Sequence, residues 1–167
     1  LVRDGVDLRF GHAVTGFQQA GGRVQAVEVA AGTGGNQSLK ADHVVLAAGS
    51  WSGAVGKQLG LTMPMQPGKG YSLTLQHPSQ RLRVPSILSE ARVAVTRMGE
   101  RLRVGGTMEI AGFDDRANAV RVDGIIESAL RYFPGLQRAE FDVPPRWHGF
   151  RPCSPDGLPY LGNSPVD

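Results

Sequence analysis

Met63-Pro64-Met65-Gln66-Pro67-Gly68 runs straight into Lys69-Gly70-Tyr71-Ser72-Leu73-Thr74-Leu75, and this junction separates two kinds of architecture. Pro64 and Pro67 fix φ and lack an N–H, and Gly68 frees the chain to turn, so the stretch reads as a hinge near residue 63. Beyond it, Tyr71, Leu73 and Leu75 alternate with small or polar residues, the period of a strand with one buried face. Leu102, Val104, Met108 and Ile110 are expected on one face of a second strand. Gly106 leaves a gap between them, of the kind that marks close approach by a ligand or another backbone. Val122, Ile125, Ile126, Ala129, Leu130 and Phe133 recur at helical spacing, and Pro134-Gly135 ends that helix. Residues 63–145 therefore read as an antiparallel sheet carrying an amphipathic helix.

Upstream of the hinge the pattern differs. Leu1-Val2-Arg3-Asp4-Gly5 has no start methionine and reads as a helix end closed by glycine, followed by Val6-Asp7-Leu8-Arg9-Phe10 in strand alternation. Strand-like pieces at 12–17 and 23–29, separated by Gly21-Gly22, and a third piece around Leu39 predict an antiparallel meander. Val44-Val45-Leu46-Ala47-Ala48-Gly49 is a continuous apolar run ending in small residues. It is expected to be a strand covered on both faces of a parallel sheet, turning at Gly49-Ser50-Trp51 into a short helix that reaches Leu59. In open α/β sheets such a turn collects ligands, because small residues and free N–H groups allow close approach. Tight packing alone also selects small residues there.

The composition excludes several function classes. With 167 residues, 41% hydrophobic and 20% charged, the chain is long enough for a core and has the balance of an ordinary globular protein. No apolar run approaches the roughly 18 residues that span a bilayer, and no charged-then-apolar leader opens the sequence. The net charge of +3 is scattered, without a basic run, which argues against a nucleic-acid partner. Cys153 is the single cysteine; it permits no internal disulfide and fits a reducing compartment, and no Cys/His cluster has metal-ligand spacing. Gly-x-Gly-x-x-Gly after a strand, a phosphate loop, His-Glu-x-x-His and a nucleophile elbow are all missing, so hydrolase and kinase readings lose support.

The remaining chemistry lies in Trp147-His148-Gly149-Phe150-Arg151-Pro152-Cys153-Ser154-Pro155-Asp156-Gly157-Leu158-Pro159-Tyr160-Leu161-Gly162. Arg151 stands between an aromatic-rich strand end and a Pro/Gly turn, a stiff mounting that suits a guanidinium aimed at a carboxylate ligand; pairing with Asp156 at a surface turn is the plainer alternative. The run Trp-x-Gly-x-Arg-Pro-x-x-Pro-Asp-Gly-x-Pro-x-x-Gly resembles the late signature of FAD-dependent amino-acid and amine oxidoreductases, the group of D-amino-acid oxidase, glycine oxidase and D-amino-acid dehydrogenase. The stretches Lys69–Leu75 and Arg103–Asp114 resemble the dehydrogenase small subunit most.

That resemblance implies a mixed α+β and α/β fold. A partial Rossmann-like FAD domain would occupy residues 1–62, an antiparallel substrate domain of the D-amino-acid oxidase type 63–145, and a return segment to the FAD domain 146–167. It places Val14 at the adenine end of FAD, and Ala47, Ala48, Gly49 and Trp51 against the cofactor. Arg151 becomes the catalytic and substrate-binding arginine, with Tyr71 and Met108 lining the pocket. Met108 sits where glycine oxidases carry a methionine, while Val93 replaces a tyrosine of those enzymes. The implied reaction is oxidative deamination of a D-amino acid, with hydride passing from the α-carbon to flavin and the products a 2-oxo acid and ammonia. The implied partners are an amino-acid substrate and a quinone or other electron carrier, in a cytoplasmic enzyme peripheral to the inner membrane. A glycine- or sarcosine-type amine oxidase on the same fold and an inactive folding or interaction module both remain open. Without the early glycine-rich turn that cradles the pyrophosphate, the isolated chain is expected to hold FAD weakly or not at all.

Overall fold

The alternation after the hinge becomes β4 (Gln66–Leu75), a central strand in a five-stranded antiparallel sheet of the order β5-β6-β7-β4-β8. The other strands are β5 (Ser86–Leu88), β6 (Val93–Met98), β7 (Arg101–Ile110) and β8 (Trp147–Cys153), of which β7 and β8 flank β4. The computed structural model describes residues 2–32, 34–142 and 146–164. Leu1, Thr33, the expected boundary at 145 and the last residues to 167 lie outside them. The chain divides into two compact units, Leu1–Met65 with Ser154–Asp167 and Gln66–Cys153, so the strand that carries Arg151 belongs to the second unit. Pro67 and Pro152 pair with each other at one end of the β4–β8 ladder, where a missing donor is tolerated.

One face of this sheet is covered by α2 (Ala119–Tyr132), as the helical spacing predicts. Val122, Ile125, Ile126 and Ala129 are buried and form a single core with Tyr71, Leu73, Leu75, Val93, Val95, Leu102, Val104, Leu136 and Phe141. The helix begins where Asn118 Oδ1 accepts the Arg121 N–H at 3.4 Å, an N-cap that satisfies one orphan donor of the first turn.

The alternation of β7 does not run through. Tyr71 pairs with Gly106 but Gly70 pairs with Met108, so Thr107 is the extra residue of a β-bulge, with φ of 62°. A bulge inverts the facing of everything beyond it. Leu102 and Val104 are buried under the helix, whereas Met108 and Ile110, expected on the same face, emerge on the other side and are 57% and 56% exposed. The bulge has a local cause. A Cβ at Gly106 would stand 2.5 Å from the Arg92 carbonyl oxygen, which also accepts the Thr107 N–H at 3.1 Å. The gap at Gly106 therefore admits another backbone.

In the first unit the meander forms as predicted. β1 (His12–Ala20), β2 (Arg23–Ala31) and β3 (Gly35–Leu39) pair antiparallel in that order. The first two are joined by Gly21 and Gly22, both at positive φ, the requirement of a two-residue type I′ hairpin. A 3-10 turn (Gly49–Trp51), α1 (Ser52–Gly56) and a second 3-10 turn (Lys57–Leu59) make the expected short helical segment, and Gly60 at φ 72° ends it. The returning segment is tied back by the Tyr160 hydroxyl, which donates to the Pro64 carbonyl at 2.7 Å.

Two expected strands are absent. Residues 6–10 and 44–48 take no strand conformation; Phe10 and Val45 are 86% and 85% exposed. A parallel strand needs hydrogen-bonding neighbours, and no described residue pairs with either stretch, so their apolar pattern has no ladder to join. No described helix is long and apolar enough to cross a membrane.

Candidate active site

The residues singled out from the sequence fall in both units. In the first, Val14 lies on β1 opposite Val29 and is partly exposed. Ala48 precedes the 3-10 turn, Gly49 adopts φ of 55°, and the Trp51 N–H donates to the Ala48 carbonyl at 3.1 Å. Beside them Ser50 is buried, and its hydroxyl has no hydrogen-bond partner among the described residues. An unpaired buried hydroxyl in a turn of small residues fits a polar cofactor lying against Ala47, Ala48, Gly49 and Trp51, because such a group would satisfy it.

In the second unit the bulge decides which side chains meet. Strand pairing puts Arg151 opposite Gly68, and Gly149 opposite Gly70, which in turn faces Met108. Alternation then places Arg151, Trp147, Cys153, Met108 and Ile110 together on the face away from α2. Arg151 is exposed and forms no ion pair among the described residues. Met108 Sδ lies 3.9 Å from Cys153 Sγ, both over Gly68, where a Cβ would stand 2.9 Å and 2.8 Å from them. Trp147, 62% exposed, has its six-membered ring over Gly149. Around Arg151 this open face combines a fork-shaped cation with apolar surface, and can hold a carboxylate joined to an apolar or small group.

Tyr71, expected to line the same pocket as Met108, faces the opposite way and is 4% exposed. It pairs with Gly106 ahead of the bulge, whereas Met108 follows the bulge. Val93 is likewise buried in the core under α2 and does not reach the open face.

On the covered face the sequence reading missed a polar network centred on Lys69. Its side chain is 0% exposed. Nζ donates to the Asp114 carbonyl at 2.8 Å and the Arg116 carbonyl at 2.9 Å, and stands 3.9 Å from Glu109 Oε2 and 3.8 Å from Asp114 Oδ2. The Tyr71 hydroxyl donates to Glu109 Oε2 at 2.5 Å, and Asn118 Nδ2 donates to Glu109 Oε1 at 3.2 Å. The loop 111–118 is thereby fastened to the sheet. Further along it, Asp115 meets His148 Nε2 at 2.8 Å, and Phe113 packs edge-on against Phe150 with ring centroids 5.6 Å apart. One signal was available in the sequence: Lys69 shares the parity of Tyr71, Leu73 and Leu75, a charge on the apolar side of a strand.

The network sets ionisation. Burial and the bond to Glu109 hold the Tyr71 phenol above its ordinary value. The Tyr71 hydrogen bond, with help from Asn118 and Lys69, holds Glu109 below the usual carboxylate range, and Arg116 does the same for Asp114. A carboxylate lowered on folding contributes stability above its unfolded pKa, about 4, and that contribution is lost as pH falls through the lower folded value. Urea midpoints of the chain should therefore drop between about pH 5 and pH 3, and Glu109→Gln should make the drop shallower. An identical pH slope in the variant would remove Glu109 as a source of acid sensitivity.

Comparison with known proteins follows the same lines. The family model DAO, FAD dependent oxidoreductase, matches residues 1–167. A D-amino acid dehydrogenase of Methylobacterium radiotolerans is 40% identical over 167 residues, covering 97% of this chain and 38% of that protein. A glycine oxidase of Pseudomonas putida is 39% identical over 166 residues, covering 99% of this chain and 43% of its own length. The crystal structure of glycine oxidase from Geobacillus kaustophilus superposes with a TM-score of 0.70 at 26% identity, over 92% of this chain and 40% of that one. L-proline dehydrogenase from P. horikoshii shares the fold, with a TM-score of 0.71 at 17% identity over 93% of this chain and 41% of that one. The chain thus spans about two fifths of the length of the curated relatives it matches.

Proposed function

The chain belongs to the DAO family of FAD dependent oxidoreductases, and on that premise we propose that it forms part of the FAD site and the substrate-binding sheet of an enzyme that oxidatively deaminates D-amino acids. The observation that carries the substrate class is Arg151, exposed on the open face of the sheet beside Met108 and Trp147 without a carboxylate partner among the described residues. A planar guanidinium takes a carboxylate through two parallel hydrogen bonds and so fixes its orientation. The similarity to D-amino acid dehydrogenases over nearly the whole chain supports the D-amino-acid assignment.

In this reading Val14, Ala47, Ala48, Gly49 and Trp51 hold the cofactor, with the Ser50 hydroxyl as a further polar contact. When bound, FAD supplies the two-electron acceptor for the hydride of the substrate α-carbon. Arg151 anchors the carboxylate and so restricts the orientation of the α-carbon, while Met108 and Trp147 present apolar surface that displaces water. The imino acid left after hydride loss takes up water and gives a 2-oxo acid and ammonia. Positioning is the main contribution of these residues, since the open face presents arginine and one thiol but neither carboxylate nor imidazole among its described strand positions. The electron carrier that reoxidises the enzyme, a quinone or another acceptor, and peripheral attachment at the inner membrane belong to the same proposal.

The test is flavin bleaching in the full-length, FAD-loaded protein that contains this chain. Under anaerobic conditions D-alanine should abolish the visible flavin band and L-alanine should not. Bleaching by glycine or sarcosine but not by D-alanine would instead establish the amine-oxidase reading, which the 39% identical Pseudomonas putida glycine oxidase favours. Bleaching by none of them refutes both.

A further inference from the structure

Near Arg151, taken on the proposed function as the carboxylate anchor, the open face leaves the sheet backbone uncovered at Gly70. At one level of the sheet, β7, β4 and β8 present Met108, Gly70 and Gly149 side by side. Two of the three neighbouring glycine positions are roofed. A Cβ at Gly149 would collide with the Trp147 ring, and one at Gly68 would stand 2.9 Å from Met108 Sδ and 2.8 Å from Cys153 Sγ. At Gly70 an added Cβ would meet only the Thr107 carbonyl, at an ordinary 3.7 Å. The sheet backbone is therefore bare at Gly70, with an indole on the β8 side and a thioether on the β7 side.

Arg151 stands one level away, opposite Gly68, about 7 Å along the strand. A flexible arginine spans that distance, so a ligand carboxylate on its fork can leave the substituent of the adjacent carbon over Gly70. The walls on the β7 and β8 sides are apolar, and along β4 the cell is bordered by the uncharged Ser72. Lys69 and Glu109, the charged residues nearest in sequence, are turned through the sheet to the covered face and engaged with each other and with the 111–118 loop. A charged substituent would find no counter-charge beside Gly70, and its desolvation would go uncompensated.

We propose that the cell above Gly70 receives an apolar side chain of the D-amino acid held by Arg151, with Gly70 setting its size and the Trp147 indole forming its flat wall. Gly70→Ala in the full-length, FAD-loaded protein tests the size limit. The added methyl sits at contact distance from its nearest neighbour, so the fold and FAD content are retained. The ratio of kcat/KM for D-phenylalanine to that for D-alanine should fall about tenfold, the usual discrimination for one methylene in a packed apolar site. An unchanged ratio overturns the assignment. Trp147→Leu gives an independent measure, since it keeps an apolar wall but removes the ring; D-phenylalanine should lose ground to D-leucine, and an unchanged preference overturns the role of Trp147. The parent reading fails differently: if it were wrong, Arg151→Ala would leave kcat/KM for all three amino acids near normal.

Discussion

Arg151→Ala, made in the full-length FAD-loaded protein, should lower kcat/KM for D-amino acids by roughly ten- to a hundredfold, with Arg151→Lys falling between it and the parent. Charge-assisted hydrogen bonds contribute about 1.5–3 kcal/mol, and each 1.4 kcal/mol or so is a decade in rate. Lysine keeps the positive charge but replaces a planar fork with a single point, which explains the intermediate value. Flavin content and unfolding midpoint should stay nearly unchanged, because Arg151 is exposed and forms no ion pair among the described residues. If instead Arg151 only decorates the surface, the alanine variant turns over D-amino acids normally. A well-folded, flavin-replete Arg151→Ala enzyme with parental kcat/KM would remove the residue on which the substrate assignment rests.

Lys69→Met should destabilise the chain by about 3 kcal/mol, the usual result of removing one member of a buried charged network. Methionine preserves the aliphatic stem, so the loss isolates the ammonium. Without it the carbonyls of Asp114 and Arg116 lose their donor and Glu109 loses its buried counter-charge. The loop 111–118 should then loosen before the sheet does, which hydrogen exchange would register as faster exchange at Arg121, whose N–H is capped by Asn118. Urea unfolding supplies the magnitude. A change under about 1 kcal/mol would mean that water replaces the ammonium without cost, and that the fully buried lysine does not secure the loop. A double-mutant cycle with Glu109→Gln separates the ion pair from the carbonyl bonds, since only the former is shared by both substitutions.

Much of this architecture is legible before any coordinates, and the reason is periodicity. Tyr71, Leu73 and Leu75 specify a one-sided strand, and Val122, Ile125, Ile126 and Ala129 specify the helix that covers it, because each pattern can bury its apolar residues in only one local conformation. The hairpin at Gly21-Gly22 is equally local, since two consecutive positive φ values select glycine. The short helix after Ala48 belongs here too. Residues 6–10 and 44–48 show the limit of such reading: an apolar run states a tendency to be covered, and a ladder forms only where another strand supplies the missing half of each hydrogen bond.

The site divides along the same line. Sequence by itself determined that an arginine sits in a stiff strand-and-turn setting, that a single cysteine lies two residues from it, and that the motif around it resembles those of flavin-dependent amine oxidoreductases. Only tertiary structure decided which side chains share a face with that arginine. The deciding element is the extra residue at Thr107, imposed where the Arg92 carbonyl of a neighbouring segment presses against Gly106. Gly106 marks a close approach in the sequence, but the contact joins positions distant in sequence, so no local pattern names the approaching group or the extra residue that accompanies it. Its consequence is a change of parity within β7: Met108 turns to the face of Arg151 and Glu109 turns inward to Lys69, while Tyr71 on β4 stays in the core. A period of two makes strands readable, and for the same reason a single inserted residue reverses every assignment that follows it.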